Sequence, residues 1–142
     1  MSDDEAVLDD VGAAFSRLRR SVVNQVKNPL PRKDLGRTLV LNLVDEQPGE
    51  MTVGAVADQL SVDPSVASRM VTDCITAGYL SRAASAEDGR RTVLHLTESG
   101  VELLARFRRQ QREAFEHVTR TWSTHDRVQL ARLLIRYVDD AR

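Results

Sequence analysis

Near the start of the chain, apolar residues recur at the spacing of one face of a helix. They stand four, four, three, four and four positions apart, at Val7, Val11, Phe15, Leu18, Val22 and Val26. This spacing keeps one apolar stripe on one side and predicts an amphipathic helix over residues 6–27. The helix is expected to end at Asn28-Pro29-Leu30-Pro31, because a residue before proline avoids helical dihedrals. A long helix with a single apolar stripe needs a partner that covers it.

A second helix is predicted from about Asp34 to the turn at Gln47-Pro48-Gly49. Its apolar positions are Leu35, Leu39, Leu43 and Val44. Thr52 is then suited to cap a third, short helix. The inward face of that helix comprises Val53, Val56, Ala57 and Leu60.

A fourth helix follows after a turn of few residues. Asp63 can cap it, and Pro64 takes the first helical position, where a missing amide costs nothing. The helix is expected to run to about Ala77, and Gly78 supplies its C-terminal stop. Two short helices joined this tightly are typical of a helix-turn-helix.

The rest of the chain reads as a hairpin and two helices. Strands are predicted at Tyr79–Ala84 and Arg90–Leu96, on either side of the polar tip Ser85-Ala86-Glu87-Asp88-Gly89. A long helix over 97–121 and a last helix over 124–140 follow. Their apolar positions are Val101, Leu104, Ala105, Phe115, Val118 and Trp122 in the first, and Leu130, Leu133, Leu134, Tyr137 and Val138 in the second.

Composition bounds the class of protein. The 142 residues suit one compact domain, and no apolar run approaches the roughly 18 residues of a membrane span. The acidic start is not a signal peptide, so a cytoplasmic protein is expected. The net charge is only −1, yet residues 3–10 carry five acids and no base, whereas residues 17–37 carry seven bases and one acid. Any DNA-binding surface must therefore be locally basic.

The sequence contains no recognisable catalytic or metal-binding motif. Cys74 is the single cysteine and lies on an apolar helix face, where a small core residue is the simplest interpretation. His95, His117 and His125 lack the spacing of a metal pair. The chain has no glycine-rich phosphate loop, nucleophile motif or convergent pair of acids. No catalytic residue, metal ion or cofactor is expected.

The fourth predicted helix divides into an apolar and a polar arc. The apolar arc contains Val66, Ala67, Met70, Val71, Cys74 and Ile75, and the polar arc Ser65, Ser68, Arg69, Thr72, Asp73 and Thr76. Any surface helix shows such a split. A merely solvated face usually carries Glu and Lys, however, whereas small hydroxyls with one arginine suit contacts to phosphates and base edges. At the hairpin tip, Arg90 and Arg91 likewise suggest something anionic nearby, although a solvated strand end is an equal alternative for Arg91.

Three stretches carry a family resemblance. They are Asp63-Pro64-Ser65-Val66-Ala67-Ser68-Arg69-Met70-Val71, Ala77-Gly78-Tyr79-Leu80-Ser81-Arg82 and Asp88-Gly89-Arg90-Arg91-Thr92-Val93-Leu94-His95-Leu96-Thr97-Glu98-Ser99-Gly100. The chain resembles the MarR family of bacterial winged-helix transcription regulators over nearly its whole length. The D-x-R of the wing, followed by L-x-L-T-x-x-G, is the most diagnostic signature.

The resemblance implies a mainly α fold with a small β-hairpin wing, a winged helix-turn-helix with N- and C-terminal dimerisation helices. Residues 1–142 would form a single MarR-type domain, with the winged helix-turn-helix at 34–96 and the dimerisation helices at 1–33 and 97–142. In a homodimer, the single-stripe helices would acquire the partners they lack.

The resemblance also implies how DNA is bound. The fourth helix would enter the major groove of double-stranded DNA with Ser65, Ser68, Arg69 and Thr72. Arg90 would enter the minor groove, with Arg91 beside it reaching the backbone or pairing with Asp88. Residues 52–96 carry four bases against five acids, so helix-end amides and hydroxyls, with Arg32, Lys33 or Arg37, are expected to share the phosphate contacts.

The resulting expectation is a regulator, most often a repressor, that recognises a pseudo-palindromic operator. A phenolic or similarly lipophilic anionic effector would lie in the cleft between the dimer helices and the winged helix. Thiol sensing is disfavoured, because the first helix has no cysteine. The alternative is a winged-helix protein-interaction module without an operator of its own.

Overall fold

The computed structural model of the protein describes residues 2–21 and 30–142. In chain order the elements are α1 (Asp3–Asp9), α2 (Val11–Ser21), α3 (Arg32–Glu46), α4 (Val53–Leu60), α5 (Pro64–Thr76), β1 (Leu80–Ala84), β2 (Thr92–Leu96), α6 (Glu98–Val118) and α7 (Thr124–Asp140). The chain divides into two compact units. One comprises residues 28–109, and the other combines 1–27 with 110–142. No helix in the described ranges is long and apolar enough to cross a membrane.

The predicted first helix is two helices. Ser2 caps the start of α1, where its hydroxyl accepts the Glu5 amide at 3.3 Å, and α1 ends at Asp9 with Asp10 as its C-cap. The helix restarts at Val11, so a continuous helix over 6–27 was wrong. Asp10 and Gly12 both have low helix propensity, which explains a break at this point. The predicted stripe positions Val22 and Val26 and the predicted end at 28–29 lie outside the described residues.

The helix-turn-helix is built from the local signals that the sequence carries. Thr52 caps α4 by accepting the Ala55 amide at 3.1 Å, and Asp63 caps α5 by accepting the Ser65 amide at 2.9 Å. Gly78 adopts a φ of 87°, which is the left-handed conformation that stops a helix. These predictions are confirmed.

The wing is an antiparallel hairpin whose pairing runs from Leu80 opposite Leu96 to Ala84 opposite Thr92. Both strands begin later than predicted. A third segment joins the hairpin, because the Leu94 amide donates to the Met51 carbonyl at 2.8 Å. The linker before α4 is thus hydrogen-bonded directly to the wing.

The core of the 28–109 unit lies between α3, α4, α5 and the hairpin. Its innermost side chains include Val40, Leu41, Met51, Val56, Val71 and Cys74. The predicted apolar face of α3 is partly wrong, because Leu39 is 53% exposed while Thr38 is buried. Thr38 can be buried since its hydroxyl donates to the Leu35 carbonyl at 2.6 Å. Apolar periodicity does not detect a polar side chain satisfied in this way.

The L-T-x-x-G part of the signature has a structural basis at the start of α6. The Thr97 hydroxyl donates to the Gly78 carbonyl and accepts the Gly100 amide, at 2.5 and 3.1 Å. Gly100 is buried against the Tyr79 backbone, where a Cβ would overlap the Tyr79 carbonyl oxygen. Only glycine lets α6 approach the hairpin this closely.

In the unit of residues 1–27 and 110–142, α7 runs over the predicted range and is capped by Ser123, which accepts the Asp126 amide at 3.1 Å. Trp122 does not lie on the long helix, because α6 ends at Val118. The Phe115 carbonyl accepts both the Thr119 hydroxyl at 2.7 Å and the Thr119 amide at 3.0 Å just beyond this end. Large apolar side chains of this unit are exposed at Val7, Val11, Phe15, Leu18, Leu130, Leu133, Leu134, Tyr137 and Val138.

Candidate nucleic-acid interface

The two arcs predicted for α5 correspond to its buried and exposed sides. Ala67, Val71 and Cys74 are fully buried, and Val66, Met70 and Ile75 pack partly around them. All six members of the polar arc are exposed: Ser65, Ser68, Arg69, Thr72, Asp73 and Thr76. The predicted DNA-contacting side chains of this helix therefore share one accessible surface.

These side chains differ in what they already bind. The Ser65 hydroxyl donates to the Asp63 carboxylate at 2.7 Å, and this bond is the main cause that lowers the pKa of Asp63 below its ordinary value. Ser68, Arg69 and Thr72 make no side-chain hydrogen bond within the described part of the chain. Their donors and acceptors are thus available to a ligand, whereas Ser65 has one remaining role, as an acceptor.

Arg37 is committed to protein carboxylates rather than to solvent. Its Nε and Nη2 atoms donate to Asp73 at 2.8 and 3.1 Å, and its Nη1 atom donates to Asp34 at 2.8 Å. The Arg37 side chain is only 14% exposed, and its guanidinium lies 5.7 Å from the Tyr79 ring centroid. Of the three cations expected to share phosphate contacts, Arg37 is thus the least accessible, while Arg32 and Lys33 are exposed.

The Arg37 bonds join α3 to α5 across 36 positions of sequence. The hydrogen bond from Arg37 lowers the pKa of Asp73, and the bond to Asp73 raises the pKa of Arg37 further above its already high value. Both ions stay charged at neutral pH. The pair fixes the edge of the exposed α5 face, and sequence periodicity gave no signal for it.

The wing tip is an ordered turn. The Ser85 amide donates to the Arg91 carbonyl at 2.9 Å, and the Arg91 amide donates to the Asp88 carbonyl at the same distance. The Asp88 carboxylate also accepts the Arg90 amide at 3.1 Å. Arg90 and Arg91 both have exposed side chains at this turn. Among the described residues, Arg91 forms no ion pair with Asp88.

Glu50 is a tip contact that sequence reasoning missed. Its carboxylate accepts the Ser85 hydroxyl at 2.5 Å and the Ala86 amide at 3.0 Å. The Ser85 hydroxyl is the main cause that lowers the pKa of Glu50, with smaller contributions from the Ala86 and Glu87 amides and the Arg91 charge. A carboxylate 35 positions from Ser85 carries no local signature in the sequence.

Cys74 is a buried core residue, as the sequence predicted. Burial raises the pKa of the Cys74 thiol to about 11, so the group is a neutral core side chain at physiological pH. In the described ranges, no three residues of His, Cys, Asp or Glu are grouped to hold a metal ion.

The fold and these surfaces can be compared with known proteins. Residues 32–91 match the model of the MarR family. The HTH-type transcriptional regulator Mb0904 of Mycobacterium bovis is 29% identical over 113 residues, which cover 80% of this chain and 77% of that protein.

Solved structures show the same fold. That of MarR has a TM-score of 0.70 at 18% identity, over 94% of this chain and 90% of that one. The PcaV regulator of Streptomyces coelicolor, in complex with its natural ligand, has a TM-score of 0.59 at 19% identity, over 100% and 99% of the two chains.

A helix-turn-helix followed by a two-stranded wing defines the winged helix-turn-helix class of proteins. The chain has a winged region that matches the MarR family of this class over residues 32–91, in agreement with the sequence resemblance. It is a DNA-binding transcription regulator, and the family and the curated relatives are regulators rather than enzymes.

Proposed function

We propose that the protein is a homodimeric repressor that binds a pseudo-palindromic operator in bacterial cytoplasm and is released by a small lipophilic or phenolic effector. The exposed face of α5 is the observation that carries the proposal. It presents hydroxyls at Ser68 and Thr72 and a guanidinium at Arg69, none of them bonded within the described chain. Such groups match the hydrogen-bonding edges of bases and the phosphates beside them.

Each predicted site residue receives a role in this proposal. Ser65, Ser68, Arg69 and Thr72 enter the major groove on α5, while Arg90 occupies the minor groove and Arg91 contacts the backbone. A narrow minor groove concentrates negative potential that a guanidinium can occupy. The ordered turn around Arg90 supports this role, because a fixed backbone lowers the entropy lost on binding.

Dimerisation through residues 1–33 and 97–142, on either side of the winged region 34–96, is supported by exposed apolar side chains. Phe15, Leu18, Leu133 and Leu134 are 41–50% exposed, which is costly for a monomer in water. Two copies would also bring two α5 helices to two half-sites. The effector is proposed because the PcaV structure contains that protein's natural ligand.

Selection of binding sites from random DNA tests the proposal, with the wild type and Arg69→Ala run in parallel. The wild type should select a pseudo-palindrome. Arg69 should read a guanine, because its guanidinium matches O6 and N7 in a contact worth about 1–3 kcal/mol of discrimination. Arg69→Ala should therefore flatten one position in each half-site, and Arg69→Lys should restore it only in part.

Other outcomes are equally informative. An unchanged motif with uniformly weaker binding would make Arg69 a phosphate contact and leave sequence reading to Ser65, Ser68 and Thr72. Failure of the wild type to enrich any sequence would instead favour a protein-interaction module.

A further inference from the structure

The acidic side chain of Glu50 ties the wing tip to the linker before α4. Glu50 precedes Met51, whose carbonyl accepts the Leu94 amide of β2, so the backbone beside Glu50 is fixed to the hairpin. The Glu50 side chain is half-buried, and its two carboxylate oxygens accept separate donors, Ser85 Oγ and the Ala86 amide. Both donors lie where β1 ends and the tip begins.

Ser85 passes this constraint to the turn. Its side chain is buried, with a residue exposure of 5%. While its hydroxyl donates to Glu50, it accepts the amides of Glu87 and Asp88 at 3.1 and 3.0 Å. A hydroxyl has one donor and two acceptor positions, so that of Ser85 is fully used. Its proton must point at Glu50 for both amides to be accepted.

Asp88 completes the connection to the arginine. Its amide is held by Ser85, its carboxylate accepts the Arg90 amide, and its carbonyl accepts the Arg91 amide. A continuous series of hydrogen bonds thus runs from the linker before α4 to the backbone of Arg90. The same linker leads into α4, so the hydrogen bonds connect the wing tip to the start of the helix-turn-helix.

We infer that Glu50 is a positioning residue for Arg90, which it holds in the geometry for DNA binding through Ser85 and Asp88. The inference rests on the proposed function for the part that concerns DNA. It predicts a change in DNA affinity opposite to the one that the charge of Glu50 alone would give. Removing a negative charge near DNA should tighten binding to phosphates, whereas removing the Glu50 carboxylate should weaken it.

The test compares Glu50→Gln with Glu87→Gln in the full-length protein. Glu87 has an exposed side chain at the same tip that bonds to nothing in the described chain, so its substitution removes the same charge without touching the series. In Glu50→Gln, the new side-chain amide would present a donor to another donor. We expect Glu50→Gln to weaken binding to the selected operator about tenfold, the equivalent of one charge-assisted hydrogen bond, and Glu87→Gln to leave it unchanged or tighter.

Two further readouts separate positioning from general loss of stability. The loss in Glu50→Gln should be larger on operators with A·T-rich flanks than with G·C-rich flanks, because the minor-groove contact is the one affected. In an Arg90→Ala background, Glu50→Gln should change the dissociation constant less than about twofold, since the group it positions is gone. Equal losses on both flanks, or additive effects with Arg90→Ala, would overturn the inference.

Amide hydrogen exchange without DNA distinguishes this failure from failure of the proposed function. Exchange at Ala86, Glu87, Asp88 and Arg90 should be faster in Glu50→Gln than in the wild type and unchanged in Glu87→Gln. Faster exchange in a protein that selects no operator would refute the proposed function but uphold the structural series. Unchanged exchange would refute the series, whatever the DNA affinity.

Discussion

At the scale of single residues, Gly100 illustrates a requirement that composition alone does not reveal. In the interior of a helix, glycine is usually less stable than alanine by about 1 kcal/mol. At Gly100, however, an added Cβ would overlap the Tyr79 carbonyl oxygen, which belongs to the backbone and cannot rotate away. Glycine is therefore required at this position because a side chain would not fit, and not because the backbone needs flexibility.

The prediction at this scale is that Gly100→Ala destabilises the protein. The overlap should cost about 1–3 kcal/mol, more than the gain in helix propensity. Gly36→Ala is the matched control, because apart from its chain neighbours and the backbone of its own helix no heavy atom lies within 4 Å of its added Cβ, and it should stabilise the protein by about 0.5–1 kcal/mol. Urea unfolding at one protein concentration measures both, and equal effects would contradict the proposed steric role.

At the scale of elements, the contact between α3 and α5 depends on an unequal ion pair. The Arg37 side chain is 14% exposed and has two carboxylate partners, whereas Asp73 is 54% exposed. Solvent therefore screens part of the attraction, but the two parallel hydrogen bonds give it more geometric order than an isolated surface pair.

Asp73→Asn should lower the free energy of unfolding by about 1 kcal/mol, a value reduced for the exposure of Asp73. Glu116→Gln is the control, since it breaks an exposed pair with Arg112 within one helix and should cost at most about 0.5 kcal/mol. The pKa of Asp73 is lowered on folding, so its stabilisation is present above the ordinary Asp value of 3.8 and disappears as the pH falls through the lower folded value. Urea unfolding at pH 7 should separate the variants, and a control as destabilised as Asp73→Asn would rule out a special role for the Arg37 pair.

At the scale of the whole molecule, the exposed apolar side chains of α7 need another protein surface to cover them. Leu134 is 44% exposed, and Tyr137 on the same helix stacks on Phe15 with ring centroids 5.5 Å apart. We propose that a second copy of the chain covers them, because each copy carries the same exposed apolar surface.

Light scattering should give a mass twice the 15.9 kDa of one chain. Leu134→Glu should shift the protein toward monomer and weaken operator binding by at least about tenfold, because one half-site per molecule is lost and the buried charge is unpaired. Arg132→Glu is the control on the opposite side of α7, and it should leave the mass unchanged. A wild-type monomer at micromolar concentration would contradict the proposed assembly.

The sequence by itself determined those features of the fold that depend on interactions between neighbouring residues. The caps Thr52 and Asp63, the stop at Gly78 and the two arcs of α5 depend on residues within one or two turns of each other, and they were predicted correctly. The same locality explains the errors. Periodicity favoured Leu39 over Thr38 because it counts apolar residues and ignores a hydroxyl satisfied by its own helix.

Tertiary structure alone decided which groups meet across long stretches of chain. The bonds of Glu50 to Ser85 and of Arg37 to Asp73 join residues 35 and 36 positions apart, and Gly100 of α6 lies against the backbone of Tyr79, between α5 and β1. Charged and small residues follow no period, so the pattern could not say which of them are partners. The two bonds form because the donors Ser85 and Arg37 are largely removed from water and need a protein acceptor, whichever segment supplies it.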